Sequence, residues 1–162
     1  MSQAVALSGS RELDPIQSEN LEDFVTFVIA NQLFGIPVLQ VQDILQPDRI
    51  ASIPLAPPEV KGSINLRGRI VTVIDVRVRL GLPQLDTSTE SVMGVTVELQ
   101  HELYNLMVDK VGDVISLSQD AFEKNPSTLD PVWREFAVGV YRLDGNLMVV
   151  LDVERLLDFK ST

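Results

Sequence analysis

The chain contains no cysteine. Disulfides, thiolate catalysis and cysteine-bound zinc or iron–sulfur centres are therefore excluded. It contains one histidine, His101, which removes polyhistidine metal sites and argues against a serine–histidine–aspartate triad. Aromatic residues are scarce at 6%, and 13 Lys and Arg against 23 Asp and Glu leave a net charge of −10. A chain so acidic repels a polyanion such as DNA unless a local basic patch overrides the average. Long apolar runs are missing too. Stretches such as Leu147–Leu151 are far short of the roughly 20 residues that a membrane-spanning helix needs. No basic segment followed by an apolar stretch opens the chain, so no secretory signal is expected. The expectation is a soluble cytoplasmic protein that does not enter the membrane.

What is present is a repeat. "GSINLRGRIVTVIDVRVRL" at 62–80 returns as "GVYRLDGNLMVVLDVERLL" at 139–157, 77 positions later. Gly62 matches Gly139, Gly68 matches Gly145, Val73 matches Val150 and Asp75 matches Asp152. The earlier part of the chain is replayed as well. "VTFVIANQLFGIPVLQVQDIL" from Val25 aligns with "VTVELQHELYNLMVDKVGDVI" from Val95, 70 positions later. Both halves thus share one plan of two strands, a variable middle, a hairpin and a terminal helix.

At 162 residues and 45% apolar content, the chain suits one ordinary domain or two very small ones. Residues 1–22 show no periodicity and read as a flexible tail. Two subdomains follow, about 24–82 and 92–158, joined by a turn-rich linker at 83–91. "FVTFVIA" is a strand, Asn31-Gln32 a turn, and "LFGIPV" the returning strand. "VLQVQDIL" has Val38, Val41 and Leu45 at helical spacing and is expected to form two helical turns. "RIASIP" is expected to be a strand, followed by a proline-fixed connection. "SINL" and "RIVTVI" form a hairpin around Arg67-Gly68. Asp75 and Asp152 each precede an amphipathic segment and read as N-caps, and Gly81 is a fitting helix stop. The fold class expected is mainly β: small, strongly bent five-stranded barrels from an internal duplication, with short helices. A unit of this size buries a small core and is marginal alone. Two copies can share a third core between them.

No catalytic constellation stands out. Asp75 and Asp152 resemble paired carboxylates, but their equivalent places before helices argue for caps. There is no phosphate-binding glycine motif. His101 aligns with Asn31 in a polar turn, and Met93, Met107 and Met148 read as core filler. Trp133 is either a buried anchor or an interface residue. A small-barrel nucleic-acid binder would need a basic face with exposed aromatics, which this composition does not favour.

Arg67 is the informative residue. Two-residue turns with positive φ favour Asn-Gly or Asp-Gly. The second copy has Asp144-Gly145 at this turn; the first has Arg67-Gly68, with Arg69 and Lys61 close by. A solvated arginine and a partner-facing one are equally open from the turn alone. Arginine's rigid fork of donors suits protein interfaces.

"VQDIL", "IPLAPPEVKGSINLRGRIVTVIDVRVRLGL" and "LMVDKVGDVISL" together resemble the CheW family of chemotaxis coupling proteins, from about Phe24 to Phe159. The resemblance implies a non-enzymatic adaptor with no cofactor and no metal. Its fold would be two intertwined five-stranded barrels, similar to Src-homology-3 folds. Its partners would be the regulatory domain of the histidine kinase CheA, the cytoplasmic tip of methyl-accepting chemoreceptors, and other CheW-like domains in rings. The family's receptor contacts carry over to Val41 and Asp43 of "VQD", Arg67 of "NLRG" and Val114 of "VGDV". No residue of the kinase face is implied. Asp43 stands where the family commonly has glutamate, and Thr72 where many members have proline. An adaptor of another chemosensory array, for surface motility or second-messenger output, fits the same resemblance. The length favours a stand-alone adaptor.

Overall fold

The computed structural model describes residues 20–82, 93–124, 129 and 131–158. Most of the expected tail, up to residue 19, and the whole expected linker 83–91 lie outside the described residues. The chain opens with β1 (Leu21–Ile29) and β2 (Gln32–Pro37). Their turn is Ala30-Asn31, one residue earlier than expected, with φ of 52° and 68°. Alanine is a poor left-handed residue. Here its N–H is held by Asp109 Oδ2 at 2.8 Å.

The expected helix at "VLQVQDIL" is not formed. A 3-10 turn at Val38–Gln40 leads directly into β3 (Val41–Leu45). Val41, Asp43 and Leu45 are half-buried while Gln42 and Ile44 face solvent. That alternation belongs to a strand with one face covered, and helical spacing at Val38, Val41 and Leu45 was coincidental with it. The expected strand "RIASIP" shrinks to one bridge, Ala51 with Ser63. Pro47, Pro54, Pro57 and Pro58 flank it, and proline cannot donate to a ladder.

The hairpin follows as β4 (Val60–Leu66) and β5 (Arg69–Asp75), then the one-turn helix α1 (Val76–Arg79). The second half runs β6 (Met93–Leu99), β7 (Glu102–Val108) and β8 (Lys110–Ser118). A 3-10 turn (Gln119–Ala121), β9 (Phe122–Glu123) and α2 (Pro131–Arg134) fill the longer middle. β10 (Ala137–Leu143), β11 (Asn146–Leu151) and α3 (Val153–Leu156) close the chain. Gly81, at φ 78°, ends the first helical segment as expected.

The duplication is kept register for register. Val25 pairs with Ile36 as Val95 pairs with Leu106. Gly62 pairs with Val73 as Gly139 pairs with Val150, each next to a register shift. The halves are nevertheless intertwined. One sheet runs β3-β6-β7-β5-β4 and the other β8-β1-β2-β11-β10-β9. Each half has therefore lent its first hairpin to the other half's sheet. The joins are parallel, β2 on β11 and β7 on β5.

Three cores result. Ile64, Val71, Val73, Leu103 and Met107 fill the first sheet. Phe24, Tyr141, Met148 and Val150 fill the second. A larger cluster between them draws on both, from Phe27, Phe34 and Ile36 to Val95, Leu106, Val149 and Leu156. This is the shared core expected from the repeat. Trp133 meets the Phe34 ring edge-on at 5.6 Å, so it is an anchor of that core.

Candidate functional site

β3 is an edge strand, and so is β4. The turn that follows β4 is tight: Leu66 pairs with Arg69, leaving Arg67-Gly68 as a two-residue loop. Its φ values are 53° and 85°, so arginine itself sits in the left-handed region. Asn65 Oδ1 accepts the Gly68 N–H at 2.9 Å and braces the loop. The second copy differs from expectation here. At Asp144-Gly145 only the glycine has positive φ, 80°. The strained conformation therefore falls on the arginine, and the aspartate that would tolerate it better avoids it. A non-glycine residue held left-handed costs of order 1–3 kcal/mol and persists when its surroundings hold it.

The tight hairpin register and the Asn65 brace provide that hold, and Asp43 adds to them. Its Oδ2 lies 3.0 Å from Arg67 NH1, so the pair joins β3 to the turn after β4. The other oxygen, Oδ1, accepts the Ile44 N–H at 2.9 Å, which fixes the carboxylate's rotamer. The Arg67 side chain is 77% exposed and that of Asp43 26%. Sequence reasoning had both residues facing a partner. The structure brings them together and pairs them with each other.

The other two predicted positions are placed differently. Val41 shares β3 with Asp43 but is half-buried and packs on the shared core. Val114 lies on β8 of the second sheet, beside Val25 of β1, and is 51% exposed. β8 is likewise an edge strand. Val114 is the duplicate of Ile44, 70 positions earlier, which is also exposed. Ile44 was missed, although the repeat alignment sets it opposite Val114, which the family resemblance had given. Leu39, almost fully exposed on the 3-10 turn, was missed because the expected helix hid it. It lines a groove of about 480 Å³ with Leu21, Glu22, Asp23, Pro37, Val38 and Ser116. The edge strands thus present exposed aliphatic side chains, and the turn after β4 adds an oriented ion pair to β3.

Asp75 and Asp152 are caps. Asp75 Oδ1 accepts the N–H groups of Arg77 and Val78 at 3.1 and 3.4 Å. Asp152 Oδ1 accepts the Arg155 N–H at 3.2 Å, and its Oδ2 lies 3.6 Å from Arg155 Nε. His101 stands in the β6–β7 turn at φ 69°.

A second ion pair went unread in the sequence. Arg77 of α1 grips Asp109 with two parallel bonds, Nε to Oδ1 at 2.9 Å and NH2 to Oδ2 at 2.8 Å. Because Asp109 also accepts from Ala30, the pair ties α1 and the β7–β8 corner to the β1–β2 turn. Burial pushes the Asp109 carboxyl up, but bonds from Arg77 and Ala30 and the charges of Arg77 and Lys110 outweigh it and hold it below its ordinary value. The bond to Asp109 raises Arg77 in turn, against the opposing effect of burial.

Comparison with known proteins adds the following. Residues 23–161 match a family described as "CheW-like domain". The "Chemotaxis protein CheW" of Klebsiella aerogenes is 29% identical over 136 residues, covering 84% of this chain and 81% of that protein. The protein of the same name from Treponema pallidum is 29% identical over 140 residues, covering 85% and 82%. "Protein PilI" of Pseudomonas aeruginosa is 26% identical over 129 residues, covering 78% and 72%. Among solved structures, the scaffolding protein TtCheW from Thermoanaerobacter tengcongensis superposes with a TM-score of 0.79 at 26% identity. That match covers 87% of this chain and 95% of TtCheW.

Proposed function

We propose, from the premise that this chain belongs to the CheW-like domain family, that it is a non-enzymatic adaptor. It joins the cytoplasmic tip of methyl-accepting chemoreceptors to the histidine kinase CheA. Its relatives named as chemotaxis proteins and a solved neighbour titled a scaffolding protein support the adaptor class. Among the described residues no helix is long and apolar enough to cross a membrane. The adaptor works in the cytoplasm and is recruited to membrane-associated receptor arrays.

The observation that carries the receptor side is the strained, exposed Arg67 held by Asp43. An arginine in this pair is oriented before a partner arrives. One guanidinium nitrogen faces Asp43, and at 77% exposure most of the fork stays open to an acidic or carbonyl group. Pre-orientation lowers the entropy that binding must overcome. Val41 and Val114, with Ile44 beside Asp43, supply the aliphatic part of the contact. A separate apolar surface at a barrel end takes the kinase regulatory domain, and other CheW-like domains extend the assembly into rings. Individually modest contacts gain avidity by repetition in such an array.

Titration calorimetry tests this with a receptor-tip fragment and a kinase regulatory domain as ligands. The adaptor binds both, and Arg67→Glu loses the receptor while keeping the kinase. Failure of the unmodified protein to bind either fragment overturns the proposal.

A further inference from the structure

The two halves match in register, yet three homologous inward positions are filled in opposite senses. Phe24 on β1 corresponds to Gly94 on β6, and Gly35 on β2 to Asn105 on β7, each 70 positions on. Met148 on β11 corresponds to Val71 on β5, 77 positions back. Phe24, Met148, Val71 and Asn105 are all buried.

Both glycines are there for space. Neither has a positive φ, so the backbone does not require them. A Cβ on Gly35 would stand 2.8 Å from Met148 Sδ and 2.9 Å from its Cε. A Cβ on Gly94 would stand 2.0 Å from Asn105 Oδ1 and 2.6 Å from its Nδ2. The Asn105 amide is anchored by donating to Thr96 Oγ1 at 2.9 Å. One sheet is thus filled from β11 over a bare β2, and the other from β7 over a bare β6 and a small residue on β5.

The fold has a pairing ambiguity that this difference can resolve. Each half has a first hairpin, β1–β2 or β6–β7, and a last hairpin, β4–β5 or β10–β11. The backbone joins between them are equivalent: Phe34 pairs with Val149 as Tyr104 pairs with Thr72. The backbone ladders therefore do not distinguish the observed exchange of hairpins from an arrangement in which each half keeps its own, whereas the Arg77–Asp109 pair, which continues the β5–β7 join, forms only with exchange.

We propose that side-chain volume in the core drives the same choice. Gly35 accepts Met148, and Val71 leaves room for Asn105. Without exchange, Asn105 would be driven against Met148, where even a methyl group is too close. Gly35 would face Val71 across a void. One mismatch overpacks and the other leaves a cavity, and a close-packed interior penalises both. The three position pairs form a steric code that directs each hairpin into the opposite half's sheet.

The test uses the absence of cysteine, since introduced thiols are then the only ones. Gln32→Cys with Leu147→Cys reports β2 beside β11; Gln32 Nε2 lies 2.6 Å from the Leu147 carbonyl oxygen. Glu102→Cys with Leu147→Cys reports β7 beside β11, the pairing without exchange. Val71→Met with Met148→Val keeps the core's composition but reverses the match. In that background the first pair loses most of its cross-linking and the second gains it, or neither links because the chain no longer folds. Adding Gly35→Asn, Asn105→Gly, Phe24→Gly and Gly94→Phe restores the match and returns the first cross-link. A reversed variant that still links Cys-substituted 32 to 147 at the parent yield overturns the code. So does a restored variant that fails to recover what the reversed one lost.

Discussion

Arg79 donates from its Nε to the backbone carbonyl of Leu156 at 2.7 Å, and the two positions are duplicates of one another, 77 residues apart. The contact lies where the two halves of the repeat face each other across the shared core. Arg79 NH2 also reaches the carbonyls of Arg155 and Asp158, each at 3.2 Å, and the guanidinium lies 4.8 Å from the centre of the Phe136 ring. One side chain of α1 thus donates to three carbonyls at and just past the end of α3. The second copy has leucine at this place, so the interface is asymmetric.

Arg79→Ala removes these bonds and leaves the part-buried Leu156 carbonyl without a charged donor. The expected loss of stability is about 2–3 kcal/mol, read from urea unfolding. Arg79→Lys recovers only part of it, because an ammonium cannot replace the planar fork. Unchanged unfolding of the alanine variant would contradict this role.

The Arg77–Asp109 pair sets an acid limit. The folded carboxyl lies below its unfolded value of about 3.9. Its contribution is therefore complete above roughly pH 4 and is lost as pH falls through the folded value. Asp109→Asn destabilises the protein at pH 7, by leaving Arg77 without its carboxylate, and flattens the acid end of the stability–pH curve. Denaturant melts between neutrality and about pH 2.5 check both. A variant whose acid loss matches that of the parent rules the pair out as the source.

The two helix caps differ in strength. Asp75 is buried and serves two amides, while Asp152 serves one and is also shared with Arg155. Replacing either with alanine costs about 0.5–2 kcal/mol, with Asp75→Ala at the upper end and Asp152→Ala at the lower. Thermal unfolding ranks them, and the reverse order would count against this account.

The repeat made much of the fold legible. Offsets of 70 and 77 residues gave the matching hairpins, the caps at Asp75 and Asp152, and the shared core. The strand at Val41–Leu45 was misread because a short edge strand with one half-covered face can place apolar residues at helical spacing. Its duplicate in β8 carries Gly112 beside Val111, a poor helix, and would have corrected it. The exchange of hairpins was not legible in the matching residues, because a linear repeat is the same whichever sheet each hairpin joins. At the candidate site, the oddity of Arg67 was visible as a departure from turn chemistry. Its pairing with Asp43 was not, since it depends on β3 and the turn after β4 meeting in space.

Arg67 and Asp43 belong to an exposed pair, worth about 0–1 kcal/mol to folding. Their expected value lies in binding instead. The most direct test is calorimetry of a receptor-tip fragment against the parent protein, Arg67→Ala, Asp43→Ala and the double variant, with each protein's melting temperature alongside. The account predicts nearly unchanged melting and a loss of affinity of roughly tenfold or more for Arg67→Ala, on the order of 1.5–3 kcal/mol for a charged hydrogen bond. It also predicts a smaller loss for Asp43→Ala and a double variant no worse than Arg67→Ala, because Asp43 acts by orienting the arginine. Receptor affinity unaffected by Arg67→Ala, in a protein that still binds the fragment, would contradict it.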